Sequence, residues 1–208
     1  MKLNDRGLLI VISGPSGVGK GTVRKALFEM KNHNLTYSVS MTTRKIRPGE
    51  KDGRDYYFVS REEFERKIDE GKFLEHAEFV GNYYGTPLDK VDALLDEGKE
   101  VVLEIEVDGA LQVKKKMPDC VMIFLVPPGK QALYDRLRGR GTESEDVIEE
   151  RIQKANREFK KAKLYDYIVV NDEVMNAADR IMAIIRAEHA KTERSIHKYM
   201  ELIGEEDE

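Results

Sequence analysis

Several broad classes are excluded by what this chain lacks. It carries one cysteine, Cys120, so no intramolecular disulfide can form and a reducing compartment is expected. The residues around Cys120 are apolar, which reads as a core thiol. No apolar run approaches the length of a membrane span or a secretory leader, so a soluble, cytoplasmic protein without membrane contact is expected. An excess of one charge is also missing. Lys+Arg 35 against Asp+Glu 39 leaves a net charge of -4, which disfavours non-specific nucleic-acid binding. His33, His76, His189 and His197 lack metal-ligand spacing and any cysteine partner, and read as structural or surface groups. There is no internal repeat and no low-complexity tract.

What the chain has is an alternation of apolar strands and amphipathic helices. Its 208 residues suit one α/β domain with small inserted parts and a sizeable core. Leu8-Leu9-Ile10-Val11-Ile12 reads as a strand buried on both faces. Val23 to Met30 carries apolar residues at helical spacing. Between them stands Gly14-Pro15-Ser16-Gly17-Val18-Gly19-Lys20-Gly21-Thr22. Strand, glycine-rich turn and helix form the setting of a phosphate-binding loop. The glycines let several backbone N–H groups face one concavity, the helix start adds a positive dipole end, and Lys20 can reach terminal phosphates. The match to G-x-x-x-x-G-K-[ST] departs at one point. Gly21 follows the lysine, and the hydroxyl comes one residue later. The usual loop holds Mg²⁺ through the residue after lysine, so either Thr22 or a water takes that place here.

From about 37 to 88 the texture changes. Ser40 to Glu50 is polar and basic with a Pro-Gly turn, and Asp52-Gly53-Arg54-Asp55 makes a second turn. Tyr56 to Val59 and Phe73 to Val80 read as strands around a helix capped at Ser60 and ended by Gly71. This stretch is taken as a small, mostly antiparallel insert. Residues 1–36 and 89–208 form the core, with a lid within about 129–150. In the core, helices around Val91 and from Gly109, Gln131 and Val147 alternate with strands at Val101–Glu106, Val121–Val126 and Tyr167–Asn171. A long final helix runs from Val174 to Leu202, with a kink allowed and an acidic tail after Gly204. This alternation predicts a parallel sheet with helices on both faces and ligands beyond the carboxyl ends of the strands. The phosphate loop, Glu104, Glu106, Pro127-Pro128 and Asn171 all fall there.

Taken together, the phosphate loop, Ser40-x-Thr42-Thr43-Arg44-x-x-Arg47-x-Gly49-Glu50-x-x-Gly53-x-Asp55-Tyr56 and Asn82-Tyr83-Tyr84-Gly85 resemble the guanylate kinase family. Arg140-Gly141-Thr142 and Tyr167 to Asp172 fit as well, and the likeness spans roughly residues 7 to 202. It implies a P-loop kinase core with a mobile GMP-binding insert and a lid. The implied reaction is transfer of the γ-phosphoryl group of ATP to GMP, with Mg²⁺. Substrates would be GMP, dGMP and ATP, with no obligate protein partner. ATP would sit on Gly14 to Thr22, with Asn171 at the adenine. Arg44, Arg47, Tyr56 and Tyr84 would grip the GMP phosphate, and Ser40, Glu75 and Thr86 would read guanine. Glu104 and Glu106 occupy the place of two acids near the nucleotides and would join the GMP-binding set. Lys20, Arg140 and Arg151 match the cations around the transferred group, with Arg44 beside them. Glu106 and Asp108 depart from the aspartate and glutamine of many relatives.

The residues agree on chemical grounds. Phosphoryl transfer needs positioning and charge compensation more than covalent help. Arginine forks and tyrosine hydroxyls suit phosphate oxygens. A carboxylate at 75 can accept from the N1–H and N2 amine of guanine, which adenine does not offer. Two other readings are weighed. An adenylate kinase is opposed by the Thr-Thr-Arg-x-x-Arg block and Glu75. A non-catalytic scaffold module of guanylate-kinase type is opposed by the intact Lys20 and by a chain with no room for a second domain.

Overall fold

Alternate residues of the first strand, β1 (Leu9–Ser13), point into two separate cores. Ile10 and Ile12 join one cluster while Leu9 and Val11 join the other, as a strand covered on both faces requires. The computed structural model describes residues 6–31, 33–138 and 145–200. The chain continues through α1 (Lys20–Glu29), β2 (Leu35–Tyr37), β3 (Met41–Thr42), β4 (Tyr57–Phe58), α2 (Arg61–Asp69), β5 (Phe73–Phe79) and β6 (Asn82–Pro87). Then follow α3 (Leu88–Asp96), β7 (Glu100–Glu104), α4 (Val107–Lys116), β8 (Val121–Val126), α5 (Lys130–Arg138), α6 (Glu145–Phe159), β9 (Tyr167–Val170), α7 (Val174–His189) and α8 (Thr192–Ser195).

Five of these strands make an all-parallel sheet in the order β2-β7-β1-β8-β9. One face packs on α1, α6 and α7 through Val23, Leu27, Ile152, Ala178 and Ile181. The other packs on α3 and α4 through Val91, Leu95, Ala110 and Val113. The chain leaves β1 for β2 on one side and later places β8 on the other. The crevice beyond the carboxyl end of β1 is therefore the topological switch point, where open α/β sheets bind ligands. Gly14 begins the loop at that point.

The remaining strands form a second sheet, β4-β3-β6-β5, with β3 and β4 parallel and the other pairs antiparallel. Its small core is Met41, Phe64 and Phe73. Phe64 stacks on Phe73 at 4.3 Å and on Tyr83 at 5.3 Å between ring centroids, so Tyr83 is packing, as is Tyr57. The capping expectation for α2 holds in its first half. The Ser60 hydroxyl accepts from the Glu63 N–H at 3.1 Å. Gly71 ends the turn with φ 68°, where a side chain would be strained.

Three features differ from the sequence reading. β7 stops at Glu104, and Glu106 is the N-cap of α4 rather than a strand residue. The last helix ends at His189 and restarts at Thr192, because Glu188 is buried there and gathers Lys191 at 2.6 Å and Arg194 at 3.2 Å from beyond the break. Tyr37 lies in the core sheet, at the end of β2. The expected stretches at 139–144 and 201–208 lie outside the described residues. Among the described residues no helix is long and apolar enough to cross a membrane. Cys120 is buried, and burial pushes its thiol up to about 11, which makes it unreactive.

Candidate active site

The loop from Gly14 to Gly19 is held by backbone positions that exclude side chains. A Cβ on Gly14 (φ 148°) would sit 2.4 Å from the Leu125 carbonyl oxygen, and one on Gly19 (φ 90°) would sit 2.5 Å from the Asn171 amide nitrogen. Gly19 is also the N-cap of α1, without a side-chain cap and without an acid in the first turn. The first N–H groups of α1 are thus left to a ligand, an arrangement that favours an anion. Lys20 folds back along the loop, its Nζ donating to the Gly14 carbonyl at 2.6 Å and the Pro15 carbonyl at 3.3 Å. Arg151 of α6 reaches the same loop, donating to the Ser16 hydroxyl at 2.8 Å.

Two carboxylates flank the lysine. Glu106 Oε1 stands 3.5 Å from Lys20 Nζ. Glu104 pairs with Arg24 at 2.6 Å, and Arg24 lies 4.4 Å over the Tyr37 ring. A Cβ on Gly21 would come 3.4 Å from Glu104 Oε1, so the direction that a residue-21 hydroxyl would take in the usual loop leads to this carboxylate. Thr22 is exposed on the next face of α1.

In the second sheet, Thr42 and Thr43 fix the arginine turn to β6. The Thr42 hydroxyl donates to the Tyr83 carbonyl at 2.9 Å, and the Thr43 hydroxyl accepts from the Tyr83 N–H at 2.9 Å. The turn delivers Arg44 to a pair of rings. Its guanidinium lies 5.4 Å from the Tyr56 ring centroid, and the Tyr56 and Tyr84 rings meet edge-on at 6.0 Å. Glu50 grips Arg44 with both oxygens, at 2.8 and 3.0 Å, and the arginine holds the Glu50 carboxyl below its usual range.

Glu75 owes its place to an irregularity. The β5–β6 register shifts between Phe73 and Glu75, so Leu74 turns into the core and Glu75 faces Thr86. The Thr86 hydroxyl donates to Glu75 Oε1 at 2.7 Å, and Glu75 is only 7 % exposed. Burial raises this carboxyl above its ordinary value, against the opposing pull of Thr86 and Lys116. On its other side lies α4, where a Cβ on Gly109 would come 2.9 Å from Glu75 Oε2. One helical turn on, Gln112 brackets the backbone of His76, accepting from its N–H at 3.2 Å and donating to its carbonyl at 3.1 Å. The second sheet is thereby tied to the core beside Glu75.

A family model described as guanylate kinase matches residues 6–188. The chain belongs to the guanylate kinase family. A guanylate kinase from Onion yellows phytoplasma (strain OY-M) is 66% identical over 204 residues, covering 98% of this chain and 96% of the relative. One from Lactococcus lactis subsp. lactis (strain IL1403) is 59% identical over 203 residues, covering 98% of each chain. A crystal structure of guanylate kinase from Anaplasma phagocytophilum superposes with a TM-score of 0.74 at 36% identity, over 100% of both chains. Phosphorylation of GMP by ATP is the activity that this membership carries to the chain, on a P-loop NTPase-type fold.

Within this guanylate kinase framework the expected residues separate. Gly14 to Lys20, Glu106 and Arg151 converge on the loop. Arg44, Tyr56 and Tyr84 converge in the second sheet, as do Glu75 and Thr86. Ser40 is half-buried, its carbonyl accepting from the Tyr57 N–H at 2.9 Å. Arg47 is exposed, and its backbone N–H donates to Glu50 at 2.8 Å. Arg140 lies outside the described residues. Asn171, expected at the adenine, is 3 % exposed and donates to the Val18 carbonyl at 2.8 Å, beneath the loop. Arg136 joins that support by donating to Val18 at 3.2 Å and to the Asn171 carbonyl at 3.0 Å. Arg24 and Gln112 were not singled out from sequence. Arg24 had one usable signal: it follows Lys20 by one helical turn and so shares its face.

Proposed function

We propose that this chain binds ATP on residues 14–22 and GMP in the sheet formed by β3 to β6. The γ-phosphoryl group then passes directly between them. A GMP phosphate oxygen attacks the γ-phosphorus, and the bond to the β–γ bridging oxygen breaks to release ADP. No covalent group of the protein is needed, so the residues act by position and charge. Lys20 turns from the Gly14 and Pro15 carbonyls to the terminal phosphates of ATP, with Arg151 beside it. Arg140 joins them on the strength of the resemblance. Arg44, Tyr56 and Tyr84 grip the GMP phosphate, with Arg47 reaching in from its exposed turn. Glu75, Thr86 and Ser40 read guanine. Asn171 braces the loop through its amide nitrogen and is assigned to the adenine side of ATP.

The observation that carries this reading is the buried Glu75 carboxylate, whose hydrogen-bond partner is a hydroxyl rather than a cation. A desolvated carboxylate so placed gains most from a ligand that brings N–H donors, and guanine brings two.

A divalent ion, Mg²⁺ in our reading, fits the oxygen donors present: Glu104, Glu106 and, through water, Thr22. Among the described residues no group of three or more His, Cys, Asp or Glu could hold a metal, which suits an ion carried largely by the phosphates of ATP. Bound with ATP, such an ion neutralises charge on the β and γ oxygens. We assign residues 37–88 to a GMP-binding insert and about 129–150 to a lid, on a core of 1–36 and 89–208. Closure of the two keeps water from the γ-phosphate. A cytoplasmic location agrees with the lone unreactive thiol.

The test follows the label. With γ-labelled ATP, Mg²⁺ and GMP, label is expected in GDP, and a chelator in excess over Mg²⁺ is expected to stop its appearance. Label released as inorganic phosphate in place of GDP would contradict direct transfer.

A further inference from the structure

α6 delivers a second cation to the site, one turn beyond Arg151. Lys154 Nζ donates to Glu106 Oε2 at 3.1 Å, while Glu106 Oε1 faces Lys20 Nζ at 3.5 Å. Glu106 is therefore held between two ammonium groups. On its inner side Lys154 is 3.7 Å from Oε1 of Glu158, a buried carboxylate whose Oε2 has no partner among the described residues. The four groups form one chain, from the phosphate loop through Lys20, Glu106 and Lys154 to Glu158. The neighbouring Asp108 is taken by Lys161, so it does not compete for Lys154.

We propose that Lys154 is a positioning residue for the ATP half of the reaction: it holds and neutralises Glu106, so that this carboxylate does not retain Lys20 when ATP arrives. The geometry supplies the reason. Among the described residues Lys20 has three oxygens around its ammonium in this arrangement, and of these Glu106 is the charged one. Remove Lys154, and among the described residues Glu106 keeps Lys20 as its close cation beside the loop. An uncompensated carboxylate would then stand against incoming phosphates and draw their lysine away. The effect falls on ATP, because Lys154 touches neither Glu75 nor the Arg44 turn. Its side chain is half-exposed, so a polar replacement does not open the core.

The inference rests on Lys20 as a ligand of ATP, which Lys20→Ala tests separately. Lys154→Gln is expected to raise the KM for ATP about fivefold and to leave the KM for GMP within about twofold, the scale of coupling for one charge pair in contact. Direct titration of ATP onto the protein should show the same loss of affinity without turnover. Lys154→Arg, which keeps the charge, should restore most of the ATP affinity. The deciding comparison is a double-mutant cycle. In a Glu106→Gln background, Lys154→Gln should have a much smaller effect on ATP, because the carboxylate beside Lys20 is gone. An equal effect in both backgrounds would overturn the proposal, as would an equal rise in the KM for GMP. If Lys20→Ala weakens transfer as expected and the cycle is additive, the assignment of Lys154 fails and that of Lys20 stands.

Discussion

Lys20→Ala should abolish phosphoryl transfer, with turnover falling on the order of 10³-fold or more while GMP affinity stays within about twofold. The asymmetry comes from the fold. Lys20 opens α1 at the carboxyl end of β1, and the residues assigned to the GMP phosphate and to guanine lie with the other sheet. Its ammonium lies along the Gly14 and Pro15 carbonyls of the loop, and phosphates bound there would replace those carbonyls as its partners. In the transition state, charge spreads over the equatorial oxygens of the transferred group, so a cation placed beforehand counts for more than it does for bound ATP. Kinetics with ATP in excess, beside a GMP titration by calorimetry, separate the two effects. A variant with normal turnover would remove Lys20 from the reaction. A variant that lost GMP binding equally would mean that the loop and the second sheet are not independent.

The second large effect is at Glu75. Glu75→Gln should raise the KM for GMP about 10²-fold, since one N–H of guanine would meet an amide N–H in place of a carboxylate oxygen. The pH dependence follows from burial. The carboxyl of Glu75 is raised above its ordinary value in the free protein, chiefly by desolvation. Guanine donors favour the ionised form, so GMP binding should weaken as pH falls through that raised value. The glutamine variant should show no such acid limb. Stability runs the other way. A raised carboxyl favours the folded state while protonated, and this contribution is lost as pH rises through its folded value. At neutral pH the glutamine variant should therefore melt no lower than the parent. An unchanged KM for GMP, or a GMP acid limb that survives in Glu75→Gln, would exclude Glu75 as the base reader.

Legibility from sequence followed the distance between partners. The phosphate loop is local: strand, glycines, lysine and helix are contiguous, and their order dictates the backbone. The two-faced strand was equally plain from five apolar residues in a row. Thr42-Thr43-Arg44 stood out as a block, and its threonines pin the backbone of Tyr83. The groups that tune the site were not legible. Arg24 meets Glu104, Gln112 meets His76 and Lys154 meets Glu106, all across long stretches of chain. In a protein with 36% charged residues, a lysine on an amphipathic helix carries no mark of its partner. The contacts of Asn171, whose amide nitrogen donates to the Val18 carbonyl, were not legible for a related reason. A residue just past a strand end can face either the ligand or the underside of a neighbouring loop, and the sequence does not say which. The break after His189 depends on a buried carboxylate, Glu188, that periodicity reads as one more polar position.

The most direct test is a coupled ADP-release assay with ATP and Mg²⁺, comparing GMP, dGMP, AMP, CMP and UMP as acceptors on the unmodified protein. The account predicts strong turnover with GMP and no appreciable turnover with AMP, CMP or UMP, because only guanine offers two donors to Glu75. Comparable turnover with AMP, or none with any acceptor in folded protein that still binds GMP, would contradict it.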